Sequence, residues 1–252
     1  MRHLAALLPV CLLLSACSSK PKPADLTAQP SPAHSGFLLE PAHNIHPLTG
    51  DFANNPATER FIDKMVREHG FDRQQLHDVL AQTNQLDYVL RLMNQQAPTP
   101  GQRPSGPNGA WLRYSKKFIT PDNVQNGVVF WNQHEQALRR AYATYGVPPE
   151  IIVGIIGVET RWGRVMGKTR IIDALATLAF AYPRRAEYFT GELETFLLMA
   201  RSEGDDPLSL RGSFAGAMGY GQFMPSSFKD YAVDFNGDDH VNLWDPEDAI
   251  DR

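Results

Sequence analysis

The most constraining stretch of this 252-residue chain is Ile151 to Val158 (IIVGIIGV), where every position is apolar or glycine. At the helical period an apolar side chain then points in every direction, so a helix built from it has no side suited to water. Pro148, Pro149 and Glu150 precede the run in an order that opens a helix. The expectation is a core helix buried all round. Its C-terminal end carries one carboxyl, Glu159, followed by Thr160-Arg161-Trp162-Gly163. A carboxyl beside apolar groups and near the negative end of a helix dipole is pushed toward the protonated form that a general acid needs. Position alone equally allows Glu159 to pair with Arg161, Arg164 or Lys168.

The remaining pattern is helical too. Phe61, Ile62, Met65 and Val66 form a stripe that Gly70 can close, and Asp72 with Gln75 and a stapling Phe71 caps a second helix carrying Leu76, Val79 and Leu80. Thr120-Pro121 opens a third, with Val124, Val128, Trp131, Leu138 and Tyr142 on one face as far as Gly146. Asn94 to Ala110 holds four prolines and three glycines and reads as a long loop. No alternating run competes, and no internal repeat is present, so the body is mostly α.

Charge and cysteine usage remove several functions. With 24 Lys+Arg against 28 Asp+Glu the formal net charge is -4, and no basic run appears, so no nucleic-acid partner is expected. Cys11 and Cys17 are the two cysteines, which leaves the body without a disulfide, a thiolate metal site or a cysteine nucleophile. Arg2, His3 and the short apolar run Leu4 to Leu14 form a secretory signal, too short for a spanning helix. The run ends in Leu14-Ser15-Ala16-Cys17, which resembles the bacterial lipobox, so residues 1–16 are expected to be removed and Cys17 acylated as a membrane anchor. Ordinary cleavage with an incidental cysteine is the alternative. Residues 17–57, with seven prolines, read as a tether. By resemblance to bacterial lipoproteins, Ser18 directs the protein to the outer membrane, facing the periplasm.

A second block, Gly212 to Pro225 (GSFAGAMGYGQFMP), has too many glycines for a helix interior and mixes close-approach backbone with Ser, Tyr and Gln, which can hydrogen-bond sugar hydroxyl and acetamido groups. Its bland reading is a tight turn. ETRWG (Glu159 to Gly163) and GAMGYGQFMPSS (Gly216 to Ser227) together resemble the motifs of the lytic murein transglycosylases. So do Trp111 to Trp131, Pro148 to Ile171 and Tyr182 to Phe189, and the likeness runs from about Phe61 onward.

The resemblance implies a lysozyme-like helical core with a flanking helical subdomain, cutting the β-1,4 bond between N-acetylmuramic acid and N-acetylglucosamine in peptidoglycan without water or a catalytic cofactor. It makes Glu159 the sole acid and base, in contrast to the carboxylate pair of most glycosidases. It also makes Ser213 and Gln222 contacts near the cleaved bond, and Tyr114, Arg184, Arg185 and Tyr188 groove residues. The arginines can instead pair with Glu187 and Glu192.

Asp234, Asn236 and Asp238 stand at loop positions 1, 3 and 5, the opening of an EF-hand, and three hard oxygens at alternate positions favour calcium. Asp239 replaces the usual glycine, and Asp245 replaces the usual Glu. An Asx-rich turn is the alternative. The resemblance implies closure by Asp248, with His240 offering its carbonyl, in a structural Ca2+ site.

The expected organisation is then signal 1–16, lipidated tether 17–57, helical N-terminal subdomain and loop 58–110, and catalytic region 111–252 with an EF-hand-like loop 234–248. The chain is expected to be a monomer on glycan strands. Because Arg252 comes four residues after Asp248, the catalytic region is expected to be C-terminally incomplete. Two rivals stay open: a hydrolysing muramidase with Asp173 activating water, and a calcium-stabilised lipoprotein that binds the wall without cutting it.

Overall fold

The computed structural model describes residues 46–96 and 109–250. Cys17, the signal, residues 17–45 of the tether and most of the Pro/Gly-rich loop lie outside the described residues. Eleven α-helices make up almost all the regular structure there: α1 Pro56–His69, α2 Arg73–Ala81, α3 Asp87–Gln96, α4 Ala110–Ser115, α5 Pro121–Gln133, α6 Glu135–Tyr145, α7 Pro149–Thr160, α8 Ile171–Ala181, α9 Ala186–Glu203, α10 Pro225–Tyr231 and α11 Pro246–Ile250. Strands β1 (Thr169–Arg170) and β2 (Arg211–Gly212) pair antiparallel, Thr169 against Gly212.

Local chemistry sets the helix ends. Asn55 caps α1 by accepting from Ala57 N, and Gly70 ends it in the left-handed region at φ 65°. Asp72 accepts from Gln75 N at 2.8 Å and Thr120 from Asn123 N at 3.2 Å, side-chain caps each worth about 1 kcal/mol. Gly146 and Gly204 close α6 and α9 in the same left-handed way.

Packing divides the molecule into two apolar cores. The larger joins Phe61, Ile62, Met65, Leu76, Leu80 and Val89 of α1 to α3 with Ile171, Leu175, Leu193 and Phe196 of α8 and α9. The smaller joins Phe130, Leu138, Ile152 and Ile156 of α5 to α7 with Val233, Phe235 and Ile250. Among the described residues of the stretch 58–110, α1 to α3 share one core with α8 and α9 rather than packing by themselves. Nor does the tether reach residue 57, because Leu48 and Phe52 are already buried in that core and His46 N donates to Gln74.

Two further expectations are corrected. The helix from Thr120 to Gly146 is two, broken at His134, whose N–H reaches Phe130 O while its φ of -116° leaves the helical region. Its buried face is Gly127, Phe130, Ala137, Leu138 and Ala141, whereas Val124, Val128 and Tyr142 are exposed. The all-apolar helix α7 is likewise only half covered. Ile152, Val153, Ile156, Gly157 and Thr160 are buried, but Ile151, Ile155 and Val158 stand about half exposed in a stripe along the other face. Periodicity cannot say which side of a uniformly apolar helix finds a partner.

Candidate active site

Glu159 lies in the last turn of α7, on the exposed face beside Ile155 and Val158 rather than at the edge of the core. Among the described residues no ion pair joins it to Arg161, Arg164 or Lys168. The helix stops one residue later, at Thr160. Arg161 and Trp162 both take positive φ, at 52° and 57°, two successive non-glycine residues in the left-handed region. Each such residue costs about 1 kcal/mol or more, and the surroundings hold them there. Arg161 N donates to Gly157 O. The Trp162 indole turns back under α7, its Nε1 donating to Val153 O at 3.1 Å.

The glycine-rich segment closes against this same turn. Thr160 Oγ1 lies 3.0 Å from Tyr220 O and accepts from Gly163 N at 3.1 Å. Tyr220 packs on Gly163, whose φ of 80° and lack of a Cβ admit the ring. Met218 and Phe223 exchange both backbone hydrogen bonds, at 2.8 and 2.9 Å, so residues 218–223 form a tight hairpin. Met218 belongs to the larger core and Tyr220 packs against the smaller. The segment is thus a bridge between the two cores, laid across the end of the helix that carries Glu159.

The two polar groups expected in this segment are both present there. Gln222, at φ 50°, donates from Nε2 to Gly219 O at 3.0 Å and to Met166 O at 3.3 Å, tying the hairpin to the loop after Trp162. Ser213 Oγ accepts from Ala217 N at 2.9 Å and Ala215 N at 3.3 Å, so it shapes the start of the segment.

The other expected groove residues come from two separate elements. Tyr114 is on α4, half exposed, with Phe118 5.0 Å away ring to ring and Trp111 6.3 Å away. Arg184 and Arg185 lie in the 3-10 turn Pro183–Arg185 before α9. Neither forms a salt bridge with Glu187 or Glu192 among the described residues. Arg185 instead stacks 4.1 Å over the Tyr188 ring, and burial, then the Glu192 carboxylate, pushes the Tyr188 phenol above its ordinary 10.0.

Asp173, the residue a hydrolytic mechanism would use, is engaged elsewhere. It is buried at the start of α8, accepts from Arg170 Nε and Nη2 at 2.7 and 2.8 Å and from Asn84 N at 3.0 Å, and so ties α8 to the α2–α3 connection. Its carboxylate is thus committed to holding these elements together.

The acidic loop is folded around its own side chains. Asp234 accepts from the N–H groups of Gly237, Asp238 and Asp239, Asn236 Oδ1 from Asp238 N, and Asp238 Oδ1 from His240 N. Asp239 supplies the left-handed turn usually given to glycine, at φ 66°. Asp248 closes the loop from α11, accepting from Phe235 N, Asn236 N and Asn242 N. It is buried, and burial pushes its carboxyl above the ordinary 3.8. The His240 ring is occupied by Glu203, 3.4 Å away, and that hydrogen bond holds its pKa above 6.5. His240 therefore has its carbonyl, not its ring, to offer an ion. Hard oxygens at alternate positions around a loop closed by a buried carboxylate fit calcium, because a cation offsets the burial of Asp248.

Sequence reasoning missed what supports Glu159. Trp162, Thr160 and Tyr220 build its turn, and the only signal was glycine at 157 and 163 beside a tryptophan.

A mostly helical body, a lone carboxyl at a helix end and a glycine hairpin across it define a class. Residues 53–251 match the family described as Transglycosylase SLT domain, and the chain belongs to that family, with its lysozyme-like helical fold. Over 250 residues it is 73% identical to membrane-bound lytic murein transglycosylase B of Escherichia coli (strain K12), covering 99% of this chain and 69% of that protein. The solved Escherichia coli lytic transglycosylase Slt35 in complex with bulgecin A is 75% identical, with a TM-score of 0.79 over 85% of this chain and 66% of that one. Slt35 in complex with calcium is 74% identical, with a TM-score of 0.78 over the same shares. The chain spans about two thirds of the length of these relatives.

Proposed function

We propose that this chain cleaves the β-1,4 bond between N-acetylmuramic acid and N-acetylglucosamine in peptidoglycan, leaving a 1,6-anhydromuramoyl end. The observation that carries the reading is a carboxyl, Glu159, that makes no ion pair among the described residues and stands one residue before a strained helix end tied to the glycine hairpin through Thr160, while Asp173 is spent on structure. Glu159 donates its proton to the glycosidic oxygen as that bond to C1 breaks. The resulting carboxylate takes the proton of the muramoyl 6-hydroxyl as its oxygen bonds to C1, which restores the acid and consumes no water. One carboxyl suffices because the nucleophile is part of the substrate and is already close to the reacting carbon.

Ser213 and Gln222 form the wall nearest the reacting sugars, while Tyr114, Arg184, Arg185 and Tyr188 meet the outer glycan or its peptide stems. Asp234, Asn236, Asp238, Asp248 and the His240 carbonyl hold Ca2+ as a structural ion, a reading supported by the calcium complex of Slt35. Acylated Cys17 holds the protein at the outer membrane facing the periplasm. The lipobox-like residues support this, as does the relative's name, membrane-bound.

Mass spectrometry of the soluble products tests the chemistry. Anhydro ends are lighter by about 18 Da than hydrolysed ends, and Glu159→Gln is expected to release none. Hydrolysed ends would establish a muramidase, and binding to sacculi without release a wall-binding lipoprotein. Palmitate labelling of the wild type but not of Cys17→Ala tests the anchor.

A further inference from the structure

Glu192 on α9 is a buried charged side chain that the reaction above does not use. It is 3% exposed. Its two oxygens accept from one residue, Oε2 from Ser226 N at 2.8 Å and Oε1 from Ser226 Oγ at 2.7 Å. Tyr188, one turn earlier on α9, hydrogen-bonds to the same carboxylate. No salt bridge to Glu192 occurs among the described residues. A buried carboxylate without a cation costs several kcal/mol of desolvation, which hydrogen bonds from one serine and one tyrosine offset only in part. Stability alone therefore does not account for a charge here.

Geometry does. Ser226 follows the hairpin by three residues: Phe223 closes it, Met224 and Pro225 start α10, and Ser226 is clamped to Glu192. The hairpin is otherwise held at its tip by Thr160 and by Tyr220 N donating to Leu243 O, at its N-terminal strand by the bridge between Gly212 and Met218, and at its side by Gln222 to Met166. Without the clamp its C-terminal strand is fixed to α9 by apolar packing, which does not define a position along the helix.

We propose that Glu192 is a positioning residue for the reaction: it fixes the C-terminal end of the Met218–Phe223 hairpin relative to Tyr188 and Arg185, so that one buried carboxylate sets the width of the glycan groove between two elements. This rests on the reading of the hairpin as the wall that meets the reacting sugars.

The test is steady-state cleavage of solubilised glycan strands by the full chain, with melting followed in parallel. Glu192→Leu leaves two donors of Ser226 without their acceptor and is expected to melt lower by several degrees, yet, well below its melting temperature, to lose about 10- to 100-fold in kcat with KM within about threefold. Glu192→Gln still accepts from Ser226 N and is expected to recover most of the loss. A purely structural residue would instead lower melting and leave kcat of the folded variant at the wild-type value. A folded Glu192→Leu with kcat within about twofold of wild type overturns the proposal. If that variant does not fold, Ser226→Ala decides, with a loss of about threefold or more expected and none overturning.

Inactivity of the wild type itself would count against the function, not the clamp. In that case amide exchange decides: faster exchange at residues 219–224 in the variant with α9 unchanged supports the clamp, and unchanged exchange in the hairpin overturns it.

Discussion

The Trp162 indole lies flat against the backbone of Gly157, so close that a Cβ on Gly157 would stand 2.5 Å from Trp162 Cζ2. The same ring also leaves no room for a Cβ at Gly127 on α5, at 2.9 Å. Two glycines on facing helices thus form the slot that holds the indole, and the indole holds the left-handed turn after Glu159. In an open helix Ala would be more stable than Gly by about 1 kcal/mol. Here the contact reverses the sign, because the clashing atoms belong to a rigid ring with its Nε1 bonded to Val153 O. Gly157→Ala is expected to destabilise by about 1–3 kcal/mol and to lose most cleavage activity, checked by urea unfolding and product release.

Asp173 is expected to matter for folding and not for chemistry. Removing it leaves Asn84 N without its acceptor and Arg170 with Gln82 O alone, and losing these bonds to a buried carboxylate costs about 2–3 kcal/mol. Urea unfolding of Asp173→Ala should show that loss, and products from the fraction still folded should keep anhydro ends. A change to hydrolysed ends, or full stability with no activity, would contradict this assignment.

Calcium is expected to stabilise the wild type through the acidic loop. At a hundredfold excess over Kd, binding to the native state alone is worth about 2.7 kcal/mol, which for a domain of this size raises Tm by about 5–10 °C. Asp234→Ala removes one ligand and the acceptor of three loop N–H groups. Its Tm is expected to be lower and insensitive to calcium, as differential scanning calorimetry with and without chelator would read.

Acid sensitivity is expected at Glu194. Burial raises its pKa, but hydrogen bonds from Lys64 and His69 outweigh that and hold it below 4.5. A carboxyl with a depressed pKa adds stability above its unfolded value and loses it as pH falls through the folded one. The stability gap between wild type and Glu194→Gln is therefore present at neutral pH and shrinks below about pH 4.5. Unfolding at pH 7, 5 and 3.5 would reveal a gap that stays constant if the partners do not act on the charge.

Much of the secondary structure was legible because its signals are local. Asp72 finds Gln75 N, Thr120 finds Asn123 N, and Gly70 and Gly146 turn left-handed, all within a few residues of the helix they end. The break at His134 had no such signal. Glu159 and the glycine segment stood out because a lone carboxyl after an apolar run and a dense glycine cluster are unusual in any helical chain. Their supports did not, since the Thr160–Tyr220 and Glu192–Ser226 contacts span 60 and 34 residues.

By itself, then, the sequence determined the capped starts of α1, α2 and α5, the glycine-closed ends of α1 and α6, and that the body is mostly α, and it singled out Glu159 as a candidate acid. Caps, prolines and glycines act over a single turn, so their outcome is written in neighbouring residues. Only the tertiary structure decided which half of α7 is buried, that Asp173 is a structural partner of Arg170, and that Glu192 clamps the hairpin. Burial and pairing depend on which distant surface arrives, and a uniformly apolar helix or an isolated carboxylate accepts more than one.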